Sequence, residues 1–184
     1  MLNKEGKSFS FDARGTGYGR GEGIACLVLR RLDDALQAKD PIRAIIRGSA
    51  VNQDGKTAGI TLPSREAQEK LQRRLYQDIK IDPQSVGYVE AHGTGTVAGD
   101  LAEMEAIANV FCNEREEHIF VGSVKSNVGH LEGASGLAGV IKAILALEKG
   151  MIPPNINFED PKPGLMLKER KITVRKRRSH SLKD

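Results

Sequence analysis

Apolar residues cluster over 24–31 (IACLVLRR) and 43–51 (RAIIRGSAV). Both runs are short and partly β-branched, which predicts strands. Between them Leu32–Ala38 predicts a short helix that stops before Asp40-Pro41. NQDG at 52–55 has turn chemistry. Ser64 is a good N-cap, Glu66 falls in the first turn, and Ala67, Leu71, Leu75 and Ile79 recur every four residues. That spacing predicts an amphipathic surface helix. Two further strands are predicted at 86–91 (VGYVEA) and 119–124 (IFVGSV), followed by helices over 101–111 and 133–149. Strands alternating with helices point to an α/β fold with largely parallel pairing. The last helix, GASGLAGVIKAILAL, is apolar almost all round and opens with small residues. Such a helix is expected to be buried on every side, sandwiched between two sheets of which this chain supplies as few as one.

Composition adds limits to this picture. A chain of 184 residues, 39% hydrophobic and 28% charged, suits one domain with a sizeable core. The longest apolar run, 137–147, is broken by Lys142 and falls short of the roughly 20 residues of a membrane span. MLNKEGKSFSF at the start has no secretory apolar stretch. Cys26 and Cys112 lie far apart in no metal or redox spacing, so a reducing, cytoplasmic setting is expected. The net charge of +4 belongs to the end of the chain. Residues 165–184 hold eight Lys or Arg and two acids, leaving 20 basic and 22 acidic residues in the first 164. This basic tail is expected to be a solvated, disordered end outside the domain at 1–164. It has no aromatic side chain to stack on bases, which argues against nucleic acid as a partner.

Two segments carry candidate chemistry and share one design. EAHGTGTVAGD sets His92 at the end of one predicted strand, and VKSNVGH sets Lys125 and His130 at the end of the next. Ligands of open α/β sheets bind at the carboxyl ends of strands, so these three residues are expected to face one crevice beside glycine-rich turns. GTGTVA at 93–98 also matches the dinucleotide pattern G-x-G-x-x-A. The next strand, however, ends in Ser123-Val124-Lys125 instead of the acid that would hold a ribose. A metal site built from His92, Asp100 and His130 lacks ligand spacing, and Lys125 would repel a cation. A Cys–His pair would need Cys26, inside a predicted strand, or Cys112, at a helix end, and both read as packing residues.

The segments RGTGYGRGEG, EAHGTGTVAGD and VKSNVGHLEGASGLAGVIK strongly resemble the β-ketoacyl synthase (ketosynthase) family, in particular the ketosynthase domain of fungal polyketide synthases. NQDGKTAGITLPSREAQ and KGMIPPNINFEDPKPGL fit the same family, so the resemblance runs from about residue 8 to residue 164. It implies a thiolase-like α/β fold of layered α-β-α-β-α form, present here incomplete, as roughly the C-terminal half. The activity it implies is decarboxylative Claisen condensation of a malonyl-type thioester with an acyl thioester, in polyketide or fatty-acid assembly. His92 and His130 look like the two active-site histidines, whose ring N–H groups donate to the thioester carbonyl oxygen where enolate charge develops. One such donor is typically worth roughly 3–4 kcal/mol in the transition state. Lys125 resembles the family's site lysine. Asp100 and Glu103 match acids that hold the network, with Asp100 near His92 and Lys125. Thr94 and Thr96 match positions that hydrogen-bond the phosphopantetheine arm, while Asn127 and Glu132 match positions of structural support. The resemblance further implies no tightly bound cofactor, acyl carrier protein as the partner that brings substrate, and a homodimer for the intact domain.

The pattern also departs from the family. The family's nucleophilic cysteine sits on a sharp small-residue turn, and nothing in this chain resembles that turn. The closing glycine- and phenylalanine-rich strand is also missing. Leu101 and Ala102 stand in place of the usual Pro-Ile. The chain alone is therefore expected not to condense acyl groups. Its alternative reading is a non-catalytic remnant that binds carrier protein or pairs with a ketosynthase subunit.

Overall fold

The structure is a computed structural model that describes residues 1–57, 59 and 61–176. Helix α1 spans Leu32–Ala38, as its pattern predicts, and α2 spans Arg65–Ile79. Ser64 caps α2, its hydroxyl oxygen accepting the Ala67 N–H at 3.1 Å. Strand β1 (Tyr88–Glu90) leads to α3 (Val97–Phe111), and β2 (Ile119–Gly122) leads to the short α4 (Lys125–Val128). A 3-10 turn at Glu132–Ala134 then enters α5 (Ser135–Lys149). The three-stranded sheet is closed by β3 (Ile172–Thr173) and is fully parallel in the order β1-β2-β3.

Strand periodicity assigns the helices to opposite faces of this sheet. Val89, Ile119, Val121 and Ile172 face α3, where Met104, Ile107 and Phe111 complete a buried core. Tyr88 and Glu90 face the other way and meet Lys142 of α5. Helix α2 covers the outside of α3, with Tyr76 edge-on to Phe111 at 5.2 Å. The N-terminal loop crosses the end of the sheet and is pinned to the C-terminal segment by Asp12. That fully buried carboxylate accepts the N–H groups of Glu159 at 2.6 Å and Asp160 at 3.1 Å, and pairs with Arg14. Burial alone would raise its pKa, but the bonds from Arg14 and the two backbone N–H groups hold it at about 2.

Three expectations need correction. The segments 24–31 and 43–51 join no sheet ladder among the described residues, and Ile24, Val28 and Val51 are almost fully exposed. Segment 43–51 instead lies across α2, where Gly48 gives room to Leu75 and Ile79. Helix α5 is buried on one side only: Lys142 and Ala146 are covered, while Leu145 and Leu147 are 45% and 66% exposed. Only one sheet packs against it among the described residues, so its second apolar side faces solvent. Finally, residues 165–176 are not a disordered tail. Leu165, Ile172 and Val174 are core residues, and β3 extends the sheet. The basic side chains there are used internally, Arg170 pairing with Glu105 at 3.0 Å and Arg175 stacking 4.3 Å over Phe120. The apolar residues interleaved with those charges carry the segment into the core. The remainder of the expected tail, 177–184, lies outside the described residues. Among the described residues no helix is long and apolar enough to cross a membrane.

Burying one large apolar side chain contributes roughly 1.5–3 kcal/mol, so several exposed ones favour association. The 184-residue chain is expected to self-associate at micromolar concentration in sedimentation velocity and to bind a hydrophobic dye. A dye-silent monomer that melts in one sharp transition would contradict this.

Candidate active site

The carboxyl ends of β1 and β2 open into two turns that lie side by side. The first, residues 91–96, carries His92. It is folded by two carboxylates on α3, and together they take up donors that the turn leaves free. Glu103 accepts the N–H groups of His92 at 2.6 Å and Gly93 at 2.8 Å. Asp100 accepts those of Gly95 at 3.0 Å and Phe11 at 2.8 Å. Gly93 and Gly95 both have positive φ, and a Cβ on Gly93 would stand 2.6 Å from Ser123, so only glycine fits. The second turn begins at Ser123. Its N–H donates to Asn155 at 2.9 Å, and its hydroxyl donates to the His92 carbonyl at 3.1 Å. The two turns are thus bonded to one another directly.

This arrangement brings His92, Lys125 and His130 together as expected. The two imidazole rings lie edge to face with centroids 5.3 Å apart, and Tyr18 of the glycine-rich loop stands 5.0 Å from His130. His130 is strapped to that loop through its own N–H to Gly19 at 2.8 Å and through Gly21 N–H to its carbonyl at 3.0 Å. Its Nδ1 accepts the Glu132 N–H at 3.0 Å. The neutral ring therefore keeps its proton on Nε2, which remains a donor. Helix α5 forms the facing wall of a cavity of about 330 Å³, lined by Glu90, His92, Lys125, Gly136, Gly139 and Ala143. The small residues of α5 leave this space open.

The electrostatics follow from burial. Lys125 is 4% exposed, and desolvation lowers its pKa against the pull of Glu103 and Glu90. His92 is partly exposed to solvent, yet enough protein packs around its ring to desolvate it. Desolvation first, then Lys125 and His130, hold its pKa down at about 4. His130 is lowered by desolvation and by Lys125. Burial raises Glu103 to about 7, against the N–H groups of Gly93 and His92. Both rings are therefore neutral N–H donors at pH 7.

Other expected residues fall elsewhere. Both Asp100 oxygens face away from the histidines, onto backbone N–H groups and Lys162 at 3.6 Å. Asp100 thus shapes the His92 turn from behind, and the place beside His92 and Lys125 expected of Asp100 is taken by Glu103. Thr94 is buried, its hydroxyl 3.1 Å from that of Thr96, the N-cap position of α3. Asn127 shares a hydrogen bond with Ser126 at 3.0 Å, and Glu132 pairs with Arg20 at 3.7 Å. Cys26 is exposed, Cys112 is buried, and neither lines the cavity. Sequence reasoning passed over Ser123, Asn155 and the group formed by Tyr88, Glu90 and Lys142. A lone lysine in the apolar helix α5 was the one available signal.

The model of the β-ketoacyl synthase C-terminal domain matches residues 43–159, and that of the N-terminal domain matches residues 1–35. The chain belongs to the β-ketoacyl synthase family. It is 65% identical over 176 residues to the highly reducing polyketide synthase sdnO of Sordaria araneosa, covering 95% of this chain and 6% of that protein. To the squalestatin tetraketide synthase of Phoma sp. it is 57% identical over 167 residues, covering 90% of this chain and 6% of that one. Among solved structures it superposes on the ketosynthase from module 6 of the bacillaene synthase of Bacillus subtilis 168. The TM-score is 0.94 with 41% identity over 98% of this chain and 32% of that one. The oxazolomycin ketosynthase domain of Streptomyces albus JA3453 gives 0.93 with 31% identity, covering 97% and 31%. The fold is thiolase-like α/β, and the chain spans about a third of the solved ketosynthases.

Because His92 is held neutral, its titration tests the site. Its folded pKa lies below the ordinary 6.5, so protons bind the unfolded chain more tightly. The stability this contributes is present above pH 6.5 and is lost as pH falls toward about 4. Proton NMR of the His92 ring is expected to give a midpoint well below 6.5 that rises in Lys125→Met. An ordinary midpoint, unmoved by the substitution, would show that Lys125 does not face it.

Proposed function

We propose that this chain supplies the decarboxylation half of a ketosynthase site in polyketide assembly. The observation that carries the reading is the edge-to-face pair of imidazoles, His130 against His92, with His92 and buried Lys125 lining one cavity. A malonyl-type thioester enters with its carbonyl oxygen toward the two ring N–H groups. Its carboxylate leaves as carbon dioxide, and the electron pair of the broken C–C bond becomes the enolate. Negative charge collects on the same oxygen, where fixed donors stabilise it most. The enolate carbon then attacks an acyl thioester and expels the cysteine thiolate that held it. Neither Cys26 nor Cys112 is assigned that acyl-accepting role. Lys125 contributes positive potential, Glu103 fixes the His92 turn, and Asp100 supports it. Thr94 and Thr96 contact the phosphopantetheine arm. The partners in this reading are an acyl carrier protein domain and a second copy of the intact domain, in a cytoplasmic setting.

A second reading is favoured by the exposed apolar segments at 24–31 and 43–51: a non-catalytic chain that pairs with a ketosynthase subunit. Co-expression with a cysteine-bearing ketosynthase N-terminal segment separates the two. Condensation restored in the complex supports the first, and a stable complex without turnover supports the second.

Substitution of His92 or His130 by Ala in an intact domain carrying these residues is expected to slow malonyl-thioester decarboxylation by about 100- to 1000-fold. The 184-residue chain incubated with radiolabelled acyl thioester is expected to take up no covalent label. Label that was retained by the chain and lost on substituting Cys26 or Cys112 would overturn the assignment of the cysteines.

A further inference from the structure

Behind the two histidines lies a second charged group that the reaction above does not use. Glu90, at the end of β1, directs one carboxylate oxygen to the Val124 N–H at 2.6 Å, immediately before Lys125. The other oxygen receives the Tyr88 hydroxyl and lies 2.8 Å from Lys142 Nζ. Lys142 reaches it from α5 and also sits 5.6 Å over the Tyr88 ring. The Glu90 and Lys142 side chains are 11% and 9% exposed, so the pair is shielded from solvent. Gly139 makes this approach possible, since a Cβ there would lie 3.3 Å from Glu90 Cγ. Glu90 also lines the cavity together with His92 and Lys125.

We propose that Glu90, clamped by Lys142 and Tyr88, is the positioning residue of Lys125: it holds the turn that presents the lysine and sets the local charge around it. The proposal rests on the reading of Lys125 as a site residue. Lys125 interacts with Glu90 on β1, Glu103 on α3, and His92 and His130 on the two turns, while Lys142 on α5 meets Glu90 from its far side. Glu90 and Glu103 both favour its charged form, against desolvation. Lys142 offsets Glu90 and thereby limits that support. The two partners must then act on Lys125 with opposite signs, a signature that loss of packing does not produce.

Competitive trace acetylation of the 184-residue chain at submicromolar concentration, followed against pH by peptide mass spectrometry, reads Lys125 directly, with the exposed Lys4 as internal reference. Glu90→Gln keeps an acceptor for the Val124 N–H and removes the charge, its amide NH2 taking the place of the oxygen that faced Tyr88 and Lys142. Its Lys125 midpoint is expected to fall by about one pH unit. Lys142→Met leaves the Glu90 charge unopposed, and its Lys125 midpoint is expected to rise. A folded Glu90→Gln chain with an unmoved midpoint overturns the proposal, as do midpoints that rise in both variants toward the ordinary lysine value. Condensation is not read in this experiment. An intact domain that failed to condense would end the functional reading and leave the Lys125 profile as the separate test of Glu90.

Discussion

The site depends on burying one ammonium group. Lys125 is almost inaccessible, and a cation removed from water needs compensation or gives up its proton. Glu103 and Glu90 supply that compensation from two different elements. Each of these carboxylates also accepts backbone N–H groups, Glu103 from His92 and Gly93, Glu90 from Val124. The same atoms that stabilise the lysine therefore fold the turns that carry the histidine and the lysine. Charge balance and loop geometry are one arrangement here, and neither can change without the other.

The sheet and its helices serve that arrangement. Parallel pairing of β1 and β2 places the two turns side by side, and the Ser123 hydroxyl bonds them together. Helix α3 reaches under the first turn with Asp100, in its own first turn where a carboxylate is favoured, and with Glu103 one turn further on. Helix α5 closes the opposite wall and brings Lys142. The outer pieces are held less well. The 24–31 segment and one side of α5 present apolar surface to solvent, as expected of a chain that covers about a third of the solved ketosynthases it resembles.

Much of this was legible in the sequence. Local signals were enough for α1, for the Ser64 cap and for the strand-to-helix turns, because capping and periodicity act within a few residues. They were enough for His92, Lys125 and His130 as one cluster, since parallel strands bring their ends together. The same signals failed where the outcome rests on distant partners. Segments 24–31 and 43–51 have strand-forming residues but no partner strand among the described residues, and propensity alone makes no ladder. Ile172 and Val174 were hidden among basic residues, and it is the pairing of Ile172 and Thr173 with β2 that carries the segment inward. Asp100 was placed beside the histidines because of its motif, yet the loop at Phe11, far away in sequence, claims its carboxylate. Lys142 gave a signal, a single charge in an apolar helix, but its partner Glu90 could not be read before the fold was known.

The two turns hold both imidazoles as neutral N–H donors, and nitrogen-15 NMR of the histidine side chains at pH 7 reads this protonation state. An unprotonated Nδ1 and a protonated Nε2 are expected for His130, fixed by the Glu132 N–H, with a neutral ring for His92. A His130 ring with its proton on Nδ1, or a doubly protonated ring at either position, would contradict it.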